Sequence, residues 1–97
     1  MMTYSCREGI LLTKICGEYL LVAATSCRNY CPKVTQINET AAEIWRLLKE
    51  NKTESEIIQY FFQNYEIKEP GKLNELISSF IDSMVHNGYL IVERSHS

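Results

Sequence analysis

The chain has 97 residues, of which 45% are hydrophobic and 23% charged, and its formal net charge is -2. This length fits one domain with a single core and excludes a separate catalytic domain. The negative charge argues against a general affinity for nucleic acid or anionic membranes, and no apolar run approaches the roughly 20 residues that cross a bilayer. The N-terminus lacks a signal-peptide pattern, so we expect a cytoplasmic protein with one domain over residues 1–97.

Two apolar runs near the N-terminus predict a β-hairpin. They form the stretch GILLTKICGEYLLVAAT, residues 9–25, which is rich in Ile, Leu, Tyr and Val. Gly17 lies between the runs and adopts positive φ most easily. Because Cys-Gly is less favourable than Asn-Gly in a two-residue turn, a type I turn with Gly17 as the bulge residue fits the sequence at least as well.

The next stretch, SCRNYCPK, predicts a loop, since it is polar and Pro32 cannot donate to a sheet ladder. It contains Cys27 and Cys31, and the other two cysteines of the chain are Cys6 and Cys16. Without an export signal, reduced thiols explain these residues more simply than disulfides do. The C-x3-C spacing lacks the second ligand pair that a structural zinc site needs. We therefore expect no metal and no cofactor.

A short third strand is predicted by KVTQI, in which apolar residues have polar neighbours. It comprises Lys33, Val34, Thr35, Gln36 and Ile37. We expect a strand this short and polar at the edge of the sheet, with its backbone partly open to solvent.

Two helices follow, and each has a recognisable start. Asn38 offers a side-chain oxygen as the N-cap, and Glu39 places a negative charge in the first turn. The expected buried stripe of this first helix consists of Ala41, Ile44, Trp45 and Leu48. In the second helix, Thr53 and Glu56 form a capping box, and the helix should run to about Tyr65.

A third helix is predicted around Pro70, which is acceptable only in a first helical turn. Its apolar face, wider than one buried stripe requires, consists of Leu73, Leu76, Ile77, Phe80, Ile81 and Met84. Gly88 is suited to a left-handed cap, and residues 89–92 form a short extension that fits a strand. The order of elements predicts an α+β fold of the winged-helix-like kind, with a three-stranded antiparallel sheet followed by three helices.

The arrangement of these segments resembles the PqqD family, also described as RiPP recognition elements. The most specific part is INETAAEIWRLL, residues 37–48, where a hydrophobic residue, an Asn-Glu pair and small residues stand together as they do in the family. The run GILLTKICGEYLLVA, the spacing to TESEI and the apolar helix ending in NGYL also agree. The resemblance covers residues 9–91, so we expect a PqqD-like domain with its core at about 9–92.

The resemblance implies a non-catalytic peptide chaperone that binds the leader segment of a ribosomally made precursor peptide. The leader would add as a strand to Lys33–Ile37 and lie in a groove against Leu73–Met84 of the third helix. A modifying enzyme, often a radical SAM protein, would then act on the precursor. We expect a proline at Thr35 to remove an edge donor and to weaken binding without unfolding the domain. The same edge would also allow a homodimer.

The residues alone leave other interpretations open. Short length, Pro32 and Lys33 also protect a sheet edge from aggregation, and the apolar residues of the third helix fit a core equally well. A catalytic role has little support, because neither His86 nor His96 has a neighbouring nucleophile or carboxylate arrangement. The main alternative is a winged-helix DNA-binding regulator. Residues 73–93 contain no Lys or Arg, however, so the third helix would meet phosphates with the wrong charge.

Overall fold

A computed structural model describes residues 2–24, 29 and 32–94 of the chain. In these residues the elements follow the order β1 (Met2–Cys6), β2 (Ile10–Ile15), β3 (Glu18–Ala23), β4 (Val34–Ile37), α1 (Glu39–Lys49), α2 (Glu54–Asn64), α3 (Pro70–His86) and β5 (Leu90–Arg94). The strands form two antiparallel sheets, one with the order β2-β3-β4 and one of β1 and β5. The predicted α+β fold, with a three-stranded antiparallel sheet and three helices, is confirmed.

The β2-β3 hairpin closes through a two-residue turn. Ile15 pairs with Glu18, so only Cys16 and Gly17 lie between the strands. Their φ angles are 51° and 79°, and positive φ at both central positions is the signature of a type I′ turn. The alternative of a type I turn followed by a bulge is therefore wrong.

The predicted starts of α1 and α2 are confirmed. The Asn38 side chain accepts a hydrogen bond from the Ala41 backbone N–H at 2.8 Å. In the capping box, the Thr53 hydroxyl accepts from the Glu56 N–H at 3.2 Å, and the Glu56 carboxylate accepts from the Thr53 N–H at 3.0 Å. These bonds satisfy backbone donors that have no partner inside the helix, so both starts are determined by local sequence.

α3 begins with Pro70 in its first turn and ends in a Schellman motif. The Gly88 N–H donates to the Val85 carbonyl at 3.1 Å, and the Tyr89 N–H donates to the Met84 carbonyl at 2.9 Å. Gly88 has a φ of 84°, as the predicted left-handed cap requires. The motif reverses the chain, so Tyr89 turns back toward the core directly after the helix. None of the helices in the described part of the chain has the length and apolar character that crossing a bilayer requires.

The core lies between the three-stranded sheet and the helices. Its largest fully buried side chains are Trp45, Tyr89, Leu21, Ile44, Leu48, Ile57, Ile77 and Ile81. The rings of Trp45 and Tyr89 meet edge to face with centroids 6.3 Å apart, which joins α1 to the segment after α3. Burying each of the Leu and Ile side chains in this set stabilises the fold by about 1.5–3 kcal/mol. Within the predicted stripe of α1, Ala41 is only half-buried, whereas Leu47, outside that stripe, is buried.

The second sheet joins the two ends of the described chain. β1 and β5 pair from Met2 opposite Arg94 to Cys6 opposite Leu90. Leu90 is buried, and Tyr4 and Cys6 pack against the core, so this small sheet closes one side of the domain. The strand at β5 agrees with the predicted C-terminal extension, whereas β1 has no counterpart in the sequence-based prediction.

Candidate functional site

Among the described residues, the three-stranded sheet has two open edges, at β2 and at β4, and β4 is the strand that leads into α1. β4 pairs with β3 on one side, from Tyr19 opposite Ile37 to Val22 opposite Val34. On its other side, no strand within residues 2–24, 29 and 32–94 pairs with it. The C-terminal strand β5 is engaged with β1 and does not cover this edge. β4 therefore has the edge position that its short, polar sequence predicts.

The register of β4 determines which of its backbone groups face the open edge. The Ala23 N–H donates to the Lys33 carbonyl at 2.9 Å, so these two residues form a hydrogen-bonded pair. In an antiparallel ladder, such pairs alternate with pairs that exchange no hydrogen bond. Two residues further along, Thr35 again faces β3, whereas the N–H and C=O groups of Val34 and Gln36 point outward.

The expectation that a proline at Thr35 removes an edge donor is therefore wrong. Thr35 lies opposite Leu21, and its backbone groups belong to the ladder between β3 and β4. A proline at this position would remove a bond that holds β4 in the sheet. The backbone donors available to an incoming strand are those of Val34 and Gln36.

The Thr35 side chain is held by Tyr89. The Tyr89 hydroxyl donates to the Pro32 carbonyl at 3.1 Å, and its oxygen lies 2.5 Å from the Thr35 hydroxyl oxygen. Because a tyrosine hydroxyl has a single hydrogen, the Thr35 hydroxyl is the donor in the second contact. Tyr89 follows α3 directly, so these bonds connect the end of α3 to the strand that borders the open edge.

A cleft of about 280 Å³ lies between α1 and α3, beginning at Asn38, the residue after β4. Its lining consists of Asn38, Ala41, Ile44, Leu76, Ser79, Phe80 and Ser83. The four residues from α3 follow the i, i+3, i+4, i+7 spacing of a single helix face. Leu76 is 46% exposed and Phe80 is half-buried, so apolar surface is accessible from solvent. The apolar cleft thus begins at the end of β4, a strand whose outward backbone groups pair with no other strand of the described residues.

The open edge and the cleft both lie within a segment that matches a known protein family. Residues 14–90 match the family described as Coenzyme PQQ synthesis protein D (PqqD). The chain belongs to the PqqD family. No curated protein matches its sequence.

Two solved structures are similar to this PqqD family member in fold. One is a lasso peptide synthetase B1 complexed with the leader peptide, with a TM-score of 0.71 and 22% sequence identity, covering 91% of this chain and 96% of that one. The other is TbiB1 in complex with the TbiA(beta) leader peptide, with a TM-score of 0.70 and 16% identity, covering 96% of this chain and 99% of that one. The shared fold thus extends over nearly the whole chain.

The predicted apolar face of α3 divides into a buried part and an accessible part. The buried residues are Leu73, Ile77, Ile81 and Met84. The accessible residues, Leu76 and Phe80, line the cleft. A ligand on this surface would meet the accessible pair first, and direct contact with Ile77 or Ile81 would require the helix to move. Binding by any of the six stays a prediction.

The predicted receiving strand is brought together at the open edge. Lys33, Val34 and Gln36 are exposed, whereas Thr35 and Ile37 are half-buried. Lys33 precedes β4, and its carbonyl accepts a hydrogen bond from the Ala23 N–H of β3. The five residues therefore offer different groups to a ligand. Lys33, Val34 and Gln36 present exposed side chains, and Val34 and Gln36 also present outward backbone donors and acceptors.

Five residues of the cleft lie outside the predicted site: Asn38, Ala41, Ile44, Ser79 and Ser83. A signal for two of them exists in the sequence, because Ser79 and Ser83 share a helix face with Leu76 and Phe80. Their small side chains leave the space that a larger residue would fill.

The cysteines contribute no group to this site in the described residues. Cys16 is exposed in the hairpin turn, and Cys6 is a free thiol packed against the core, where burial raises its pKa to about 11. A thiol with this pKa is almost fully protonated at neutral pH and reacts slowly. Cys27 and Cys31 lie outside the described residues. Among the residues that the structure describes, no cluster of three or more metal-binding side chains occurs.

Proposed function

We propose that this chain binds the leader segment of a ribosomally made precursor peptide by strand addition to β4 and presents it to a modifying enzyme. The observation that carries this proposal is the open edge of β4, with outward backbone groups at Val34 and Gln36 next to an apolar cleft. Membership of the PqqD family supports it, as do two similar structures that were each determined with a leader peptide.

Backbone pairing alone would not give tight binding. The edge offers two N–H and two C=O groups, from Val34 and Gln36, and each hydrogen bond contributes about 0.5–1.5 kcal/mol net. Their sum, about 2–6 kcal/mol, is comparable with the cost of immobilising a peptide, which begins at about 4 kcal/mol. The remaining affinity must come from peptide side chains that become buried against the protein, and the cleft supplies the surface for them.

Alternation along the added strand assigns its side chains to two faces. Successive side chains of a strand point to opposite faces, so every second residue of the leader would point toward the cleft and Leu76. The other leader residues would lie on the outer face of the sheet beside Val34, whose surface is 48% exposed. Backbone pairing therefore gives sequence-independent affinity, and the cleft selects for apolar residues at alternate positions.

We further propose that the chain acts as a single non-catalytic domain over residues 1–97, in the cytoplasm, with a radical SAM protein as the modifying enzyme. The open edge also permits a homodimer through β4. A second copy would then compete with the leader for the same backbone groups, so dimerisation would weaken at leader concentrations that fill the site.

The direct test uses amide chemical shifts. Synthetic peptides from each short open reading frame beside the gene are titrated into ¹⁵N-labelled protein, with a scrambled version of each as control. We expect one peptide to shift the amides of β4 and of Leu76–Ser83 in α3, and its scrambled version to shift neither. Binding that shifts amides elsewhere, or no binding by any of these peptides, would contradict the proposal.

A further inference from the structure

A second cavity, of about 410 Å³, adjoins the cleft at Leu76. Three helices and the connection between α2 and α3 contribute its lining, which consists of Glu39, Thr40, Glu43, Phe61, Tyr65, Ile67, Leu73 and Leu76. Since Leu76 lines both spaces, the cavity continues the cleft. It lies past the end of β4, because α1 begins only two residues after Ile37.

The cavity combines an apolar floor with an acidic mouth. Phe61 and Leu73 are buried in the core, and Ile67 packs against it, so these side chains offer a hydrophobic base. Glu39 and Glu43 are the charged residues of the lining, and no basic side chain among the described residues belongs to it. The nearby positive residue of α3, Lys72, lies at a neighbouring cavity and pairs with Glu69 at 2.8 Å.

Two tyrosines hold the Glu43 carboxylate in place: Tyr60 in α2 and Tyr65, the residue that follows this helix. The Tyr60 hydroxyl donates to one oxygen at 2.5 Å, and the Tyr65 hydroxyl donates to the other at 2.7 Å. The hydrogen bond to this carboxylate raises the pKa of Tyr65 to about 12, which keeps the hydroxyl a donor. Each carboxylate oxygen can accept a further hydrogen bond, so a fixed negative charge remains available to a cation.

We propose that this cavity is a second subsite for the leader peptide and that it takes an arginine or lysine side chain. The proposal rests on the proposed function. The aliphatic stem of such a side chain would lie on Phe61 and Leu73, and its cationic head would lie between Glu39 and Glu43. An uncharged side chain fits less well, because it would remove water from the Glu43 carboxylate without replacing its hydrogen bonds.

The position of the cavity defines where this residue stands in the peptide. A peptide paired with Val34 and Gln36 passes the cleft and reaches the cavity after it leaves the strand. The basic residue therefore lies at a fixed spacing from the apolar residues that occupy the cleft. Leaders that bind this chain would share an apolar strand segment with a neighbouring Arg or Lys.

A displayed library of random 20-residue peptides tests this without knowledge of the natural precursor. Peptides are selected on the full chain and on the Glu39→Gln/Glu43→Gln variant. The control is Asp82→Asn, which removes an exposed negative charge on α3, outside the cavity. A glutamine at position 43 would keep one oxygen that accepts from a tyrosine hydroxyl, and its NH2 group could donate to the oxygen of the other hydroxyl; thermal unfolding checks that the variant is folded. The single change Glu39→Gln, at an exposed position, serves as a second variant.

We expect peptides selected on the native chain to share Arg or Lys at one spacing from their apolar segment. Replacing that arginine with citrulline, or that lysine with norleucine, should weaken binding about tenfold on the native chain and on Asp82→Asn, but little on the double variant. The loss should shrink as salt is raised.

Three other outcomes distinguish a failure of this inference from a failure of the proposed function. Peptides that lose affinity on Gln36→Pro but show no preference for a basic residue would overturn the subsite and leave strand addition standing. The subsite would also be overturned if the selected peptides lost as much affinity on Asp82→Asn as on the Glu39→Gln/Glu43→Gln variant, since that would indicate general charge attraction. Peptides whose binding is insensitive to Gln36→Pro would overturn both proposals.

Discussion

A proline at Gln36 should weaken peptide binding with little effect on stability, whereas a proline at Thr35 should destabilise the fold. The Gln36 N–H points to the open edge and the Thr35 N–H points into the sheet. Proline removes the backbone donor at either position. Gln36→Pro therefore removes a group that only an added strand would use, and Thr35→Pro removes one that the fold already uses.

The expected sizes of the two effects differ. Loss of one hydrogen bond from the added strand costs about 0.5–1.5 kcal/mol, which weakens peptide binding about 2- to 12-fold. Thr35→Pro loses the bond to β3 and the contact between the Thr35 hydroxyl and Tyr89, at about 1 kcal/mol each. Adding the strain of proline inside a ladder, we expect a destabilisation of about 3 kcal/mol or more, a large part of the roughly 5–15 kcal/mol typical of a domain.

Calorimetric titration with a bound peptide measures the first effect, and urea unfolding measures the second. Gln36→Ala is the matched control, because it shortens the same side chain and keeps the N–H. We expect Gln36→Ala to bind almost normally and Gln36→Pro to bind weakly with little change in the urea midpoint. If Gln36→Pro folds and binds with unchanged affinity, strand addition to this edge is refuted.

Three further predictions follow from named contacts. Tyr89→Phe removes the bonds to Thr35 and Pro32 while keeping the ring, so hydrogen exchange in β4 should accelerate, and unchanged exchange would contradict the connection. Leu76→Ala should weaken peptide binding with a stability loss below about 1 kcal/mol, whereas Ile77→Ala should cost about 2–5 kcal/mol in urea unfolding; the reverse order would show that the cleft is misplaced. Because the raised pKa of Cys6 favours its neutral thiol in the folded state, stability should fall as pH rises from about 9 to 11, and Cys6→Ala should reduce this slope, leaving the part that the raised pKa values of Tyr4, Tyr60 and Tyr65 contribute.

Local sequence signals account for the elements that were predicted correctly. Caps at Asn38 and Thr53 act within three residues, and the Gly88 cap acts across a single turn. β1 has no such signal, because its partner β5 lies more than 80 residues away and each strand is too short to be stable alone. Pairing over that separation depends on the finished core, so a pattern within five residues does not reveal it.

The candidate site was predictable as two elements but not as individual residues. Leu76 and Ile77 are equally apolar neighbours, yet one is 46% exposed and the other is fully buried. The difference depends on how α3 is rotated against α1, which is a property of tertiary packing. The direction of the Thr35 N–H likewise depends on the register with β3, and a shift by one residue would exchange the inward and outward groups.

Tyr89 shows why the site and the core cannot be separated in this fold. Its ring packs on Trp45 of α1, its backbone completes the cap of α3, and its hydroxyl contacts Thr35 of β4. A single buried residue thus connects both helices of the cleft and the strand that forms the edge. The geometry of the site is held by the same contacts that stabilise the core, so destabilising core substitutions should also weaken peptide binding. Only changes that spare the ring, or that act on outward groups, can distinguish recognition from stability.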